Sequence, residues 1–152
     1  MRRVFVSVLV SLLIASSPIL AVSHPAVAGN IAGIELCPQS ICGVAAFAGN
    51  FAGTVNSKPT AGIFWAGITH GDLPTEIGET APITGGTWMI RTATKVVAGT
   101  VEAGGTLTYN GGNTFTVDLT MDLTTGGNGT LTFTGVLDHN PFPPTIAGTI
   151  SQ

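Results

Sequence analysis

From residue 44 onward, apolar and polar residues alternate along the chain. In NTFTVDLTMDLT, residues 113–124, Phe115, Val117, Leu119, Met121 and Leu123 take turns with Thr114, Thr116, Asp118, Thr120 and Asp122. Successive side chains of an extended chain point to opposite faces, so a period of two predicts a strand with one apolar and one wet face. GTLTFTGVLD, residues 129–138, repeats the pattern, with Leu131, Phe133 and Leu137 on one side and Thr130, Thr132 and Thr134 on the other. Between the two lies TTGGNG, whose glycines and Asn128 tolerate positive φ and suit a hairpin reversal. YNGGN at 109–113 predicts a second hairpin by the same chemistry, and EAGG at 102–105 a third.

The same alternation predicts about eight strands, at 44–55, 61–70, 84–92, 95–102, 104–110, 113–124, 129–138 and 145–150. Short connections make consecutive strands antiparallel neighbours. The expected fold class is therefore all-β, a single antiparallel up-and-down meander. A flat sheet of that width exposes two long edges, which closure removes, so a closed barrel is favoured over a β-sandwich.

The first residues have a different character. MRR, the apolar VFVSVLVSLLIA and the small-x-small triplet Ala26-Val27-Ala28 form a secretory signal peptide with cleavage expected after Ala28. This gives three parts: a signal peptide at 1–28, an N-terminal segment at 29–43 holding a small disulfide loop, and a β-barrel domain at 44–152. The expected location is secreted or extracytoplasmic, without stable membrane insertion after cleavage. An oxidising compartment and the reversal favoured by Pro38 in CPQSIC predict a Cys37–Cys42 disulfide.

Beyond residue 28 only Lys58, Arg91 and Lys95 oppose eight carboxylates, a net charge of −5. A chain so acidic does not suit nucleic acid as a partner. Strand parity sorts the charges. Lys58, Arg91 and Lys95 fall at one end of the meander, and Asp72, Glu76, Glu79, Glu102 and Asp122 at or near the other. The same parity puts His70 of ITHGDLP and the Asp138-His139 pair of LDHNPFPP at opposite ends, ~20 to 30 Å apart. On this count the two histidines do not share a site.

The longest predicted connection, 70–83, carries His70, Asp72, Glu76 and Glu79. Calcium takes 6 to 8 oxygen ligands, and Asp72, Glu76 and Glu79 with backbone carbonyls are the one candidate metal set; no other cofactor is implied. Asp138-His139 runs straight into Asn140-Pro141, which suits the end of a strand. A serine nucleophile is disfavoured, because the serines after residue 28 are Ser40, Ser57 and Ser151 and none stands in a Gly-x-Ser-x-Gly turn. Trp65, Trp88 and Arg91 are the candidate ligand-binding residues, on the expectation that a small barrel can hold one small molecule against an aromatic wall.

The function expected first is a secreted, non-enzymatic barrel that binds a small apolar or amphipathic ligand or serves as a surface module. Its rival is an enzyme, a hydrolase or isomerase, using His70 with Asp72 or Glu79 at one rim. A third expectation is a structural or adhesive protein working through threonine-rich faces. The pattern fixes no oligomeric state.

Overall fold

The computed structural model describes residues 27–152. The signal-peptide expectation falls outside these residues except for Val27 and Ala28. Nine strands follow in chain order: β1 Val27–Cys37, β2 Ala45–Val55, β3 Lys58–His70, β4 Thr80–Thr92, β5 Val96–Val101, β6 Thr106–Gly111, β7 Thr114–Thr125, β8 Gly129–Asp138 and β9 Thr145–Ser151. One short helix, α1 Gln39–Cys42, sits between β1 and β2. Every pairing is antiparallel, and β1 pairs with both β2 and β9, which closes the sheet on itself. The expected closed, antiparallel barrel is the fold.

Two details depart from the sequence-based expectation. Segment 29–43, set apart from the barrel in the sequence, contributes most of its first stave, β1, and the disulfide loop. Period two is present there too: Val27, Ile31 and Glu35 are buried, while Asn30, Ala32 and Leu36 are exposed. Alternating glycines and alanines carry too little hydrophobic contrast for that period to show.

The second departure is at EAGG, which does not reverse the chain. β5 and β6 both pair with β4 on one side and with β7 on the other, and both run antiparallel to each. They are two segments of a single stave, so nine strands occupy eight positions. The interruption stays tethered to its neighbours. Glu102 N–H donates to Thr120 O at 2.8 Å, Gly104 N–H to Ile83 O at 3.0 Å, and Ile83 N–H to Gly105 O at 2.7 Å. Gly104 takes φ 105, a value that kinks the strand, and a Cβ on Gly105 would lie 2.5 Å from Asp118 O. A pair of glycines satisfies a kink as readily as a turn.

Losing one reversal flips the parity of everything after residue 102. The barrel has a base, formed by the β2–β3, β4–β5 and β7–β8 connections, and an opposite end, formed by the α1 segment and the β3–β4, β6–β7 and β8–β9 connections. His70 closes β3 and His139 follows β8, so both stand at that opposite end. The expected separation of the two histidines is overturned. Lys58, Arg91 and Lys95 do share the base. Asp122 moves to the base half beside the β7–β8 turn and Glu102 sits within the broken stave, so neither belongs to the acidic rim where the parity count had put them.

Inward side chains fill the base half. Trp88, Phe51, Ile90, Leu131, Phe133 and Ile150 are all at most 2% exposed. The Phe133 ring lies across Gly135 and Gly148: a Cβ at either position would come within 2.5 or 2.7 Å of it. Apolar area removed from water is the main stabilising term in such a core, about 25 cal/mol per Å². The outer face of β7 and β8 is polar, with Thr134 Oγ1 donating to Asp118 Oδ1 at 2.9 Å and Thr130 Oγ1 to Asp122 Oδ1 at 3.1 Å.

Candidate functional site

The half of the barrel opposite the base is not filled. A cavity of about 390 Å³ opens there. Its wall is aliphatic and aromatic, with Phe47, Ile68, Leu107, Val117, Leu137 and Ile146 facing inward from six different strands. Polar groups gather where the strands end: Glu35 near the end of β1, Gln39 and Ser40 in α1, His70 at the end of β3, Asp72 just after it, and His139 after β8. The result is an apolar pocket with a polar mouth.

Glu35 is the group the sequence-based candidates lack. It is 7% exposed, the one buried charged side chain among the described residues. Inward parity on β1 fixes its direction, because Ile31 and Glu35 lie four residues apart on the same face. The legible signal was the lone charge in VAGNIAGIELC, visible only once that segment is taken as a strand. Its carboxylate meets His139, with Oε2 3.3 Å from Nε2. The contact is close enough for an ion pair, yet Nε2 is buried and makes no hydrogen bond. His139 is held in place by its backbone N–H, which donates to Asn113 O at 2.9 Å, and by the Phe115 ring at 5.4 Å between centroids.

His70 is positioned from the other side. The Gln39 side chain clamps its backbone twice: His70 N–H donates to Gln39 Oε1 at 2.7 Å, and Gln39 Nε2 donates to His70 O at 2.9 Å. Gln39 belongs to α1, whose loop is closed by the expected Cys37–Cys42 disulfide with Cα atoms 6.1 Å apart. The His70 ring donates from Nδ1 to Gly71 O at 2.6 Å. A carbonyl can only accept, so in the neutral ring Nε2 keeps its lone pair. In the neutral ring His70 thus has one nitrogen left to accept a hydrogen bond, and Glu35 lines the same cavity.

The residues singled out in the sequence are placed otherwise. Trp65 and Arg91 are on the outer surface, Trp65 beside Ile63 with 37% and 62% exposure. Trp88 is buried in the filled half, its indole N–H donating to Asp122 O at 3.1 Å. None of the three lines the cavity. Of Asp72, Glu76 and Glu79, only Asp72 lines it; Glu79 Oε2 instead accepts from Glu76 N–H at 3.2 Å within its own turn. Among the described residues, no three His, Cys, Asp or Glu side chains gather as a metal site requires, so the calcium expectation has no ligand set there.

The loops around the mouth present apolar side chains outward. Ile41, Ile77 and Phe142 are 78%, 77% and 99% exposed. No helix among the described residues is long and apolar enough to cross a membrane. Comparison with protein-family models, with curated protein sequences and with solved structures finds no match to this chain.

Proposed function

We propose that this protein is a binding module for a small amphipathic molecule, held with its apolar part inside the barrel and its polar head at the Glu35–His70–His139 mouth. One observation carries this reading: buried apolar side chains fill the barrel's interior towards the base, and towards the opposite end the interior opens into an apolar-lined cavity. A void of about 390 Å³ walled by apolar side chains forgoes the contacts that a filled core would make. An apolar ligand restores them. Pockets of this size, mostly apolar with a few convergent polar groups, are the usual form of small-molecule sites.

The exposed side chains of Ile41, Ile77 and Phe142 fit the same reading. A sparingly soluble amphiphile is collected from an apolar phase, and apolar loops beside the opening are what such a phase meets first. Export to an extracytoplasmic location fits the Cys37–Cys42 disulfide.

Ligand-dependent thermal stabilisation tests the proposal. A molecule that binds only the folded state raises the melting temperature with its concentration. Chain amphiphiles should stabilise the wild type, and Leu107→Trp, which fills the cavity, should abolish the effect while the protein remains folded. Equal stabilisation of both proteins, or none of the wild type, would refute the proposal.

A second reading is favoured by the imidazole–carboxylate contact itself. Glu35 and His139 in a sheltered cavity have the residue types of an acid–base pair. An enzyme acting here would use these two, with His70 and Asp72 nearby, and not Glu79. A hydrolase and isomerase screen in which Glu35→Gln and His139→Ala leave turnover unchanged excludes it.

A further inference from the structure

We infer that the head group recognised at the mouth is a cation, specifically a primary alkylammonium; this rests on the proposal that the cavity holds an amphiphile.

Charge is distributed lopsidedly along the barrel. Glu35 and Asp72 line the cavity together with His70 and His139, and among the described residues no lysine or arginine does. Glu76, Glu79 and Asp138 belong to the same end, whereas the cations among the described residues, Lys58, Arg91 and Lys95, belong to the base. β2 spans Ala45–Val55, about 33 Å of strand and roughly 25 Å along a tilted barrel axis. Screening acts over about 8 Å at physiological salt. The basic end therefore cannot neutralise the acidic mouth.

Glu35 is the group that decides. It is 7% exposed and lines the cavity, and its one polar side-chain contact among the described residues is His139 Nε2 at 3.3 Å. Since that contact is not a hydrogen bond, the carboxylate keeps acceptor capacity for an incoming donor. Beside an ionised Glu35 an anionic head would meet a like charge where the dielectric is low, and a hydroxyl head would donate one bond to the carboxylate without bringing an opposite charge. An ammonium gains a charge-assisted bond to Glu35.

The His70 ring narrows the choice between cations. Its Nδ1 is committed to Gly71 O, so in the neutral ring the remaining nitrogen accepts. A primary ammonium has N–H donors for both Glu35 and His70. A quaternary ammonium has none.

The test is calorimetric titration of the full barrel with octyl and decyl chains carrying four heads: ammonium, trimethylammonium, hydroxyl and carboxylate. The ammonium should bind roughly tenfold more tightly than the alcohol, since only the ammonium meets the carboxylate with an opposite charge. Trimethylammonium should lie between them, and the carboxylate should bind most weakly. Glu35→Gln should bring ammonium and alcohol to within about threefold of each other and leave the alcohol's affinity in place. Should that variant fail to fold, the ranking of heads on the wild type decides alone. Alcohol or carboxylate binding as tightly as ammonium overturns the cation inference and leaves the amphiphile proposal standing. Failure of every chain to bind removes both.

Discussion

Glu35 and His139 meet across the open end of the barrel, with Oε2 3.3 Å from Nε2. They come from the first and eighth strands' ends and are more than a hundred positions apart in the chain. Closure through the β1–β9 pairing brings them together, since β9 lies between β1 and β8. The pair should be energetically coupled. His139→Ala leaves the buried carboxylate without its partner and should cost about 1 to 2 kcal/mol in urea denaturation. Glu35→Gln combined with His139→Ala should cost less than the sum of the single changes. Strict additivity would show that the two side chains do not interact.

Gln39 should govern how firmly the mouth is built. Its side chain makes two hydrogen bonds to the His70 backbone, at 2.7 and 2.9 Å. Gln39→Ala should lower stability by about 1 to 2 kcal/mol and speed hydrogen exchange at the His70 amide, with little change at strand centres in the base. Exchange at His70 equal to wild type would mean the clamp is not formed in solution.

Val27 ties the start of β1 into the core. Val27 is fully buried and pairs with Val55 at the base, so cleavage after Ala28 would remove it. A chain beginning at Val27 should be more stable than one beginning at Gly29 by about 1.5 to 3 kcal/mol, the worth of burying a valine. Equal denaturation midpoints for the two would show that Val27 adds nothing to the packing.

Gly135 should tolerate no side chain. A Cβ there would lie 2.5 Å from Phe133 Cζ and 2.6 Å from Ala147 O. Gly135→Ala should destabilise by about 1 to 3 kcal/mol, and Phe133→Leu in the same chain should recover only part, because the carbonyl stays in place. A neutral Gly135→Ala would contradict the close approach.

The two tryptophans should report separately. Trp65 is 37% exposed and Trp88 1%. Iodide should quench the Trp65 fraction of the emission alone, and Trp65→Phe should leave a fluorescence that iodide barely touches. Substantial quenching in that variant would place Trp88 nearer the surface than the structure does.

Much of the fold was legible because its signal is local. The period of two in Phe115 to Leu123 and in Leu131 to Leu137 fixes both a strand and its inward set within a few residues, and CPQSIC contains its own disulfide. β1 was harder to see, since glycine and alanine give an alternation with almost no contrast. Trp65 and Trp88 were legible as strand residues and misleading as a site. GIFWAGI is apolar on both faces, so pattern alone could not say which ring turned inward.

What the sequence determined by itself was the material of the barrel: which residues extend, where charge is scarce, and which cysteines pair. Tertiary structure decided which polar groups meet. Glycines at 104 and 105 supply positive φ or close approach equally well for a reversal or for a kink, and only the partners on either side, β4 and β7, choose between them. That one choice sets the parity of every later strand, and so carries His139 to the end where Glu35 and His70 stand.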